Sequence, residues 1–81
     1  MEEIIKNLTD LEKNIVDYVE KANVVKMSQI LNYIPSKNTE FTQNTVRDLV
    51  NKEILQMKQS PIVPEWTYEL SYFYKHYKNL L

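Results

Sequence analysis

Not one residue of this chain is glycine. Glycine adopts positive φ without steric cost. Every tight turn here therefore falls to Asn, Asp, Ser or Pro, or to a less comfortable residue held at positive φ. The same absence excludes a glycine-rich phosphate cradle. Cysteine is also missing, which removes disulfides and cysteine-ligated zinc. A single histidine, His76, cannot build a His-rich metal site. The 81 residues are enough for one domain spanning residues 1–81. A domain of this size buries only about 60% of its unfolded surface. With no covalent or metal staple, a dimer is the sensible way to add buried area.

One stretch, residues 41–55, organises the rest. It reads as a helix over 42–53 feeding directly into a strand. Thr42 has the residue type of an N-cap, and Phe41 and Val46 have hydrophobic-staple spacing around it. Val46, Leu49 and Val50 share one stripe. The opposite face carries Gln43, Asn44, Arg47, Asp48 and Asn51. Such a face is either solvated surface or a reading surface, because Arg matches guanine and Asn or Gln matches adenine in the major groove.

Upstream, Thr9 and Glu12 have capping-box spacing. Leu8, Leu11, Ile15, Tyr18, Val19 and Ala22 follow at helical steps, which predicts a first helix over 8–22. Ile4 and Ile5 extend that stripe backwards, as more helix or as an arm on a partner subunit. Asn23 suits a helix end, and Val24 and Val25 offer one bridge to a small sheet. Met27, Ile30, Leu31 and Ile34 predict a second helix over 27–34, stopped by Pro35. Downstream, 54–58 and 66–70 alternate as strands around a proline-containing loop, so 54–70 reads as a hairpin. Ser71 caps a last helix over 71–81. The fold class is mostly α with a small β-hairpin, an α+β domain whose hairpin must bury its apolar side on helices.

The formal net charge is −1, but its distribution is uneven. Residues 1–20 carry six acids and two bases, and residues 21–60 carry six bases and three acids. The middle is mildly basic. A total so near zero implies few phosphate contacts and modest non-specific affinity for nucleic acid. The first five residues do not read as a signal peptide. No segment approaches the roughly 20 apolar residues of a membrane span. The expectation is a soluble cytoplasmic protein without membrane partners.

The order of elements resembles the winged helix-turn-helix DNA-binding family, over residues 8–81, with an additional C-terminal helix. Residues 8–16 are similar to the opening of the first helix in many bacterial and archaeal members, and residues 27–31 to the second. Thr45 and Val46 match the Thr-Val pair of the recognition helix, Leu49 a core position, and Ile54 and Leu55 the strand start. Residues 68–71 look like the end of the wing in MarR-like and PadR-like regulators. The chain departs from the pattern twice. The family usually has glycine where the third helix ends, and Asn51, Lys52 and Glu53 stand here. Residues 35–42 are also longer than the usual tight turn, with room for an extra helical turn.

The resemblance implies that the third helix enters the major groove and the wing touches phosphate or the minor groove. Mapped by position, Gln43, Asn44, Arg47 and Asn51 would read bases, and Lys26, Lys37, Lys52 and Lys58 would contact phosphates. The aromatic group Trp66, Tyr68, Tyr72, Phe73, Tyr74 and Tyr77 is expected in core or dimer packing rather than as a stacking platform for single strands. The homodimer surface is expected to comprise Phe73, Tyr74, Tyr77, Leu80 and Leu81, with Ile4 and Ile5.

Ser28 and Ser71 have no His or Lys base at suggestive spacing, so an enzyme is not expected; nor is a cofactor, a metal or a small-molecule ligand. The expected function is that of a small transcriptional regulator binding specific double-stranded DNA as a homodimer. The alternatives are a winged-helix protein-interaction module in a larger assembly and a DNA-partition or replication accessory protein.

Overall fold

The computed structural model describes residues 6–35, 38–59 and 65–80. Helix α1 (Asp10–Ala22) starts where its capping box is written. The Glu12 N–H donates to Thr9 Oγ1 at 3.2 Å, and the Thr9 N–H donates to Glu12 Oε1 at 3.0 Å. Two first-turn N–H groups that a helix leaves unpaired are thereby satisfied. Thr9 is thus the cap and not an internal residue. Ile15, Val16 and Val19 sink into the core.

α1 ends at Asn23, with φ 71° and ψ −61°. The Val24 N–H donates to the Ala22 carbonyl at 2.9 Å, closing a three-residue γ-turn of the strained positive-φ kind. Strand β1 (Val25–Lys26) follows, then helix α2 (Met27–Tyr33). Gln29 Oε1 accepts the Lys26 N–H at 2.8 Å at the start of α2. Ile34 leaves the helix with φ −87° and ψ 110°. Pro35 excludes the helical region for the residue before it, so α2 stops one residue short of the expected Ile34. Tyr18 and Tyr33 stack with centroids 4.2 Å apart and join α1 to α2.

Helix α3 (Thr39–Asn51) begins three residues before the expected start at Thr42. Asn38 is its cap, accepting the Phe41 N–H on Oδ1 at 3.0 Å. The extra turn lengthens α3 and shortens the connection from α2. Thr42 is inside the helix and fully buried. Its hydroxyl donates back to the Asn38 carbonyl at 3.4 Å. The stripe that meets the core is Thr42, Val46 and Leu49. Phe41 lies off it and is 59% exposed, so the expected staple with the buried Val46 is not made.

The end of α3 shows how a glycine-free chain stops a helix. Glu53 takes φ 63°. Its N–H donates to the Val50 carbonyl at 3.0 Å, and the Ile54 N–H donates to the Leu49 carbonyl at 3.0 Å. That pair of bonds is a Schellman motif, with Glu53 where glycine is preferred. Leu49 and Ile54, both buried, supply the accompanying apolar residues.

Strands β2 (Leu55–Gln59) and β3 (Trp66–Leu70) pair antiparallel in the register Leu55 to Leu70, Met57 to Tyr68 and Gln59 to Trp66. β1 pairs with the other edge of β3, Val25 opposite Tyr68 and Lys26 opposite Thr67. The sheet order is β1-β3-β2. Alternation puts Val25, Leu55, Tyr68 and Leu70 on the core side of the sheet, and Lys26, Gln56, Lys58, Thr67 and Glu69 on the other side.

Helix α4 (Tyr72–Leu80) is capped as expected by Ser71, whose Oγ accepts the Tyr74 N–H at 3.0 Å. The same hydroxyl donates to the Glu53 carbonyl, so one buried serine joins the α3 terminus to α4. The described residues thus form a small α+β domain of four helices and a three-stranded antiparallel sheet. Among them no helix is long and apolar enough to cross a membrane.

Candidate functional site

The core stripe of α3 fixes what its opposite side presents. Asn44, Arg47 and Asn51 are exposed and Gln43 is half-buried. Gln43 and Arg47 border an open groove whose other walls are Met27 and Ser28 at the start of α2, Glu65 just before β3, and Trp66 and Tyr68 on β3. No carboxylate of the described residues lies within ion-pair distance of Arg47. Its guanidinium is felt by the Tyr68 hydroxyl. Burial pushes that hydroxyl above its ordinary pKa, and the Arg47 charge opposes the rise only in part.

The lysines expected to meet phosphate are placed differently. Lys26 pairs with Glu65 at 3.0 Å and Lys58 with Glu69 at 3.1 Å. Both stand on the sheet side turned away from the core. Lys52 caps α3 and reaches Glu12 and Asp48, each at 2.9 Å. Its hydrogen bonds to Asp48 and Glu12 raise its pKa. Burial alone would raise the Glu12 carboxyl, but hydrogen bonds from Thr9 and Lys52 outweigh it and hold the group below its ordinary value. Glu69 behaves alike: burial raises it, and bonds from Gln56 and Lys58 carry it lower. Lys37 lies outside the described residues.

The structure therefore gathers Gln43, Asn44, Arg47 and Asn51 on one helix and leaves the three described lysines in ion pairs. Sequence reasoning missed Trp66 and Ser28 as members of this surface. Trp66 is 50% exposed and is not a core residue. It stands at the loop end of β3, two residues before Tyr68, where the core runs out, and strand alternation does not mark that end.

The expected dimer surface is divided too. Tyr74 is buried in the chain's own core at 8% exposure, whereas Phe73 is 62% exposed and Tyr77 is half-buried. Tyr72, also exposed, stacks on His76. The structure describes only the backbone of Leu80, and Leu81, Ile4 and Ile5 lie outside the described residues.

Comparison with protein-family models, curated proteins and solved structures gives no significant match to this chain.

Proposed function

We propose that this chain is a winged-helix protein that binds specific double-stranded DNA, a small transcriptional regulator acting as a homodimer. In this reading α3 is the recognition helix, β2 and β3 are the wing, and α4 carries the dimer contact through Phe73 and Tyr77. The observation that supports it most is Arg47, exposed at the centre of the polar face of α3 with no carboxylate partner among the described residues. Its guanidinium would pair with guanine O6 and N7, and Asn44, Asn51 or Gln43 with adenine N6 and N7. Two such helices in a dimer would meet half-sites about one helical turn apart, roughly 34 Å.

The test is fluorescence anisotropy with a labelled random-sequence duplex pool at low and moderate salt, with Arg47→Ala alongside. Salt-sensitive binding that is lost in a folded variant is the expected result. Binding unchanged by the substitution removes Arg47 from the reading.

A second reading has its own support. Lys26, Lys52 and Lys58 are already paired with carboxylates, and Phe41, Tyr72 and Phe73 are exposed. Those features suit a winged-helix module that binds protein within a larger assembly. That reading expects no salt-sensitive duplex binding and a stable heteromeric partner.

A further inference from the structure

Trp66 is the chain's single tryptophan, and half its surface meets solvent. Tryptophan is on average well buried, so its position here calls for a contact. Trp66, Tyr68 and Leu70 point to the same side of β3. Leu70 and Tyr68 reach the core, while Trp66 stands beyond it at the loop end of the hairpin. Its cross-strand partner is Gln59, an exposed polar residue that gives it no apolar cover. The ring thus borders the groove that Gln43 and Arg47 border from the other side.

The chemistry of that groove narrows its occupant. Arg47 brings a positive charge without a carboxylate partner among the described residues. Gln43 and Ser28 bring hydrogen-bonding groups, and the one acid present, Glu65, is held by Lys26. A fitting partner has polar acceptors beside a flat apolar surface. A DNA strand in a duplex offers both, as base edges and phosphates next to thymine methyls and deoxyriboses.

Resting on the DNA-binding reading above, we infer that Trp66 is a second recognition element. With α3 on a duplex, its indole packs against an apolar surface of the strand beside the bases that Arg47 reads, a thymine methyl or a deoxyribose.

The single tryptophan is its own reporter. The full chain is titrated with a labelled random-sequence duplex pool at low salt, following DNA anisotropy and tryptophan emission together. Emission that changes in step with anisotropy, and becomes shielded from acrylamide, is the expected result. Trp66→Ala weakens binding by roughly tenfold, the scale of one good base contact, with its urea midpoint near the native one. Trp66→Phe, which keeps an aromatic face, retains most of the affinity. A pool made with uracil in place of thymine binds more weakly if the methyl is the contact, and equally if the sugar is. Should the alanine variant fail to fold, the emission of the native chain decides alone. Anisotropy that reports binding while emission and the alanine variant's affinity stay unchanged overturns the role of Trp66 and leaves the DNA reading standing. Absence of binding at low salt overturns both.

Discussion

Lys52 Nζ meets Glu12 Oε2 at 2.9 Å across 40 residues of chain. The bond joins the end of α3 to the beginning of α1. Glu12 is nearly buried and also closes the capping box, while Lys52 is about one-third exposed and also holds Asp48. Charged hydrogen bonds of this kind contribute about 1.5–3 kcal/mol when buried, and less as solvent screens them. Lys52→Ala is therefore expected to lower stability by about 1 kcal/mol and to leave duplex affinity nearly unchanged. Glu12→Ala is expected to cost more, because it also removes the acceptor of the Thr9 N–H in the capping box, a further loss of about 1 kcal/mol. Urea midpoints of the single and double variants, read as a cycle, check the coupling. Additive effects would mean that the two side chains act independently.

The same carboxylates set an acid limit. Glu12 and Glu69 are both held below their ordinary value of 4.5 in the fold. A carboxyl with a lowered folded pKa contributes stability that is fully present above its unfolded value. That contribution is lost as pH falls through the folded value. Thermal stability is expected to hold from neutral pH down to near 4.5 and then to fall. Glu12→Gln and Glu69→Gln should each flatten that acid limb. Lys52 works in the opposite sense. Its pKa lies above 10.5, so its contribution is complete below that value and fades only as strong base deprotonates it. Melting curves across the pH range decide, and an acid limb unchanged in both Gln variants would remove these carboxyls as its source.

Glu53 is the position where the missing glycine matters most. At φ 63° a β-carbon costs about 1–2 kcal/mol, and glycine's extra freedom in the unfolded chain returns about 0.5–1 kcal/mol of that. Glu53→Gly is expected to stabilise the chain by roughly 0.5–1 kcal/mol, read as a higher urea midpoint at unchanged slope. Glu53→Ala keeps the β-carbon and should give no such gain. An equal gain from Ala would assign the effect to the Glu53 charge.

Most elements were legible because each is written locally. The capping box at Thr9 and Glu12, the stop before Pro35, the alternation of β3 and the serine before α4 need only neighbours in sequence. The start of α3 was not. Thr42 and Asn38 both have cap chemistry, and only the burial of Thr42 on the stripe of Val46 and Leu49 decides for Asn38. Of the candidate surface, the polar face of α3 was legible from helical spacing. The Lys52 pair with Asp48, four positions back, has ordinary helical spacing. The ion pairs of Lys26 with Glu65, Lys52 with Glu12 and Lys58 with Glu69 were not legible, since these partners lie 39, 40 and 11 positions apart in sequence. Nor was the exposure of Trp66, which depends on where the core ends rather than on strand alternation.

Phe73 and Tyr74 are adjacent in α4, yet the structure gives them opposite surroundings. Tyr74 is packed into the core, where burial raises its hydroxyl pKa, and truncating a buried ring of that size costs about 3–5 kcal/mol. Tyr74→Ala is expected to unfold or nearly unfold a domain of this length, whatever its oligomeric state. Phe73 has most of its ring in solvent, so Phe73→Ala should leave urea unfolding at low protein concentration close to native. Its effect is expected on self-association. Exposed aromatics are characteristic interface material, and sedimentation equilibrium should show the dimer of the native chain shifted towards monomer in the variant. A native chain that stays monomeric at all concentrations would remove the homodimer from the proposed function. A dimer unchanged by Phe73→Ala would instead move its contact away from this face of α4.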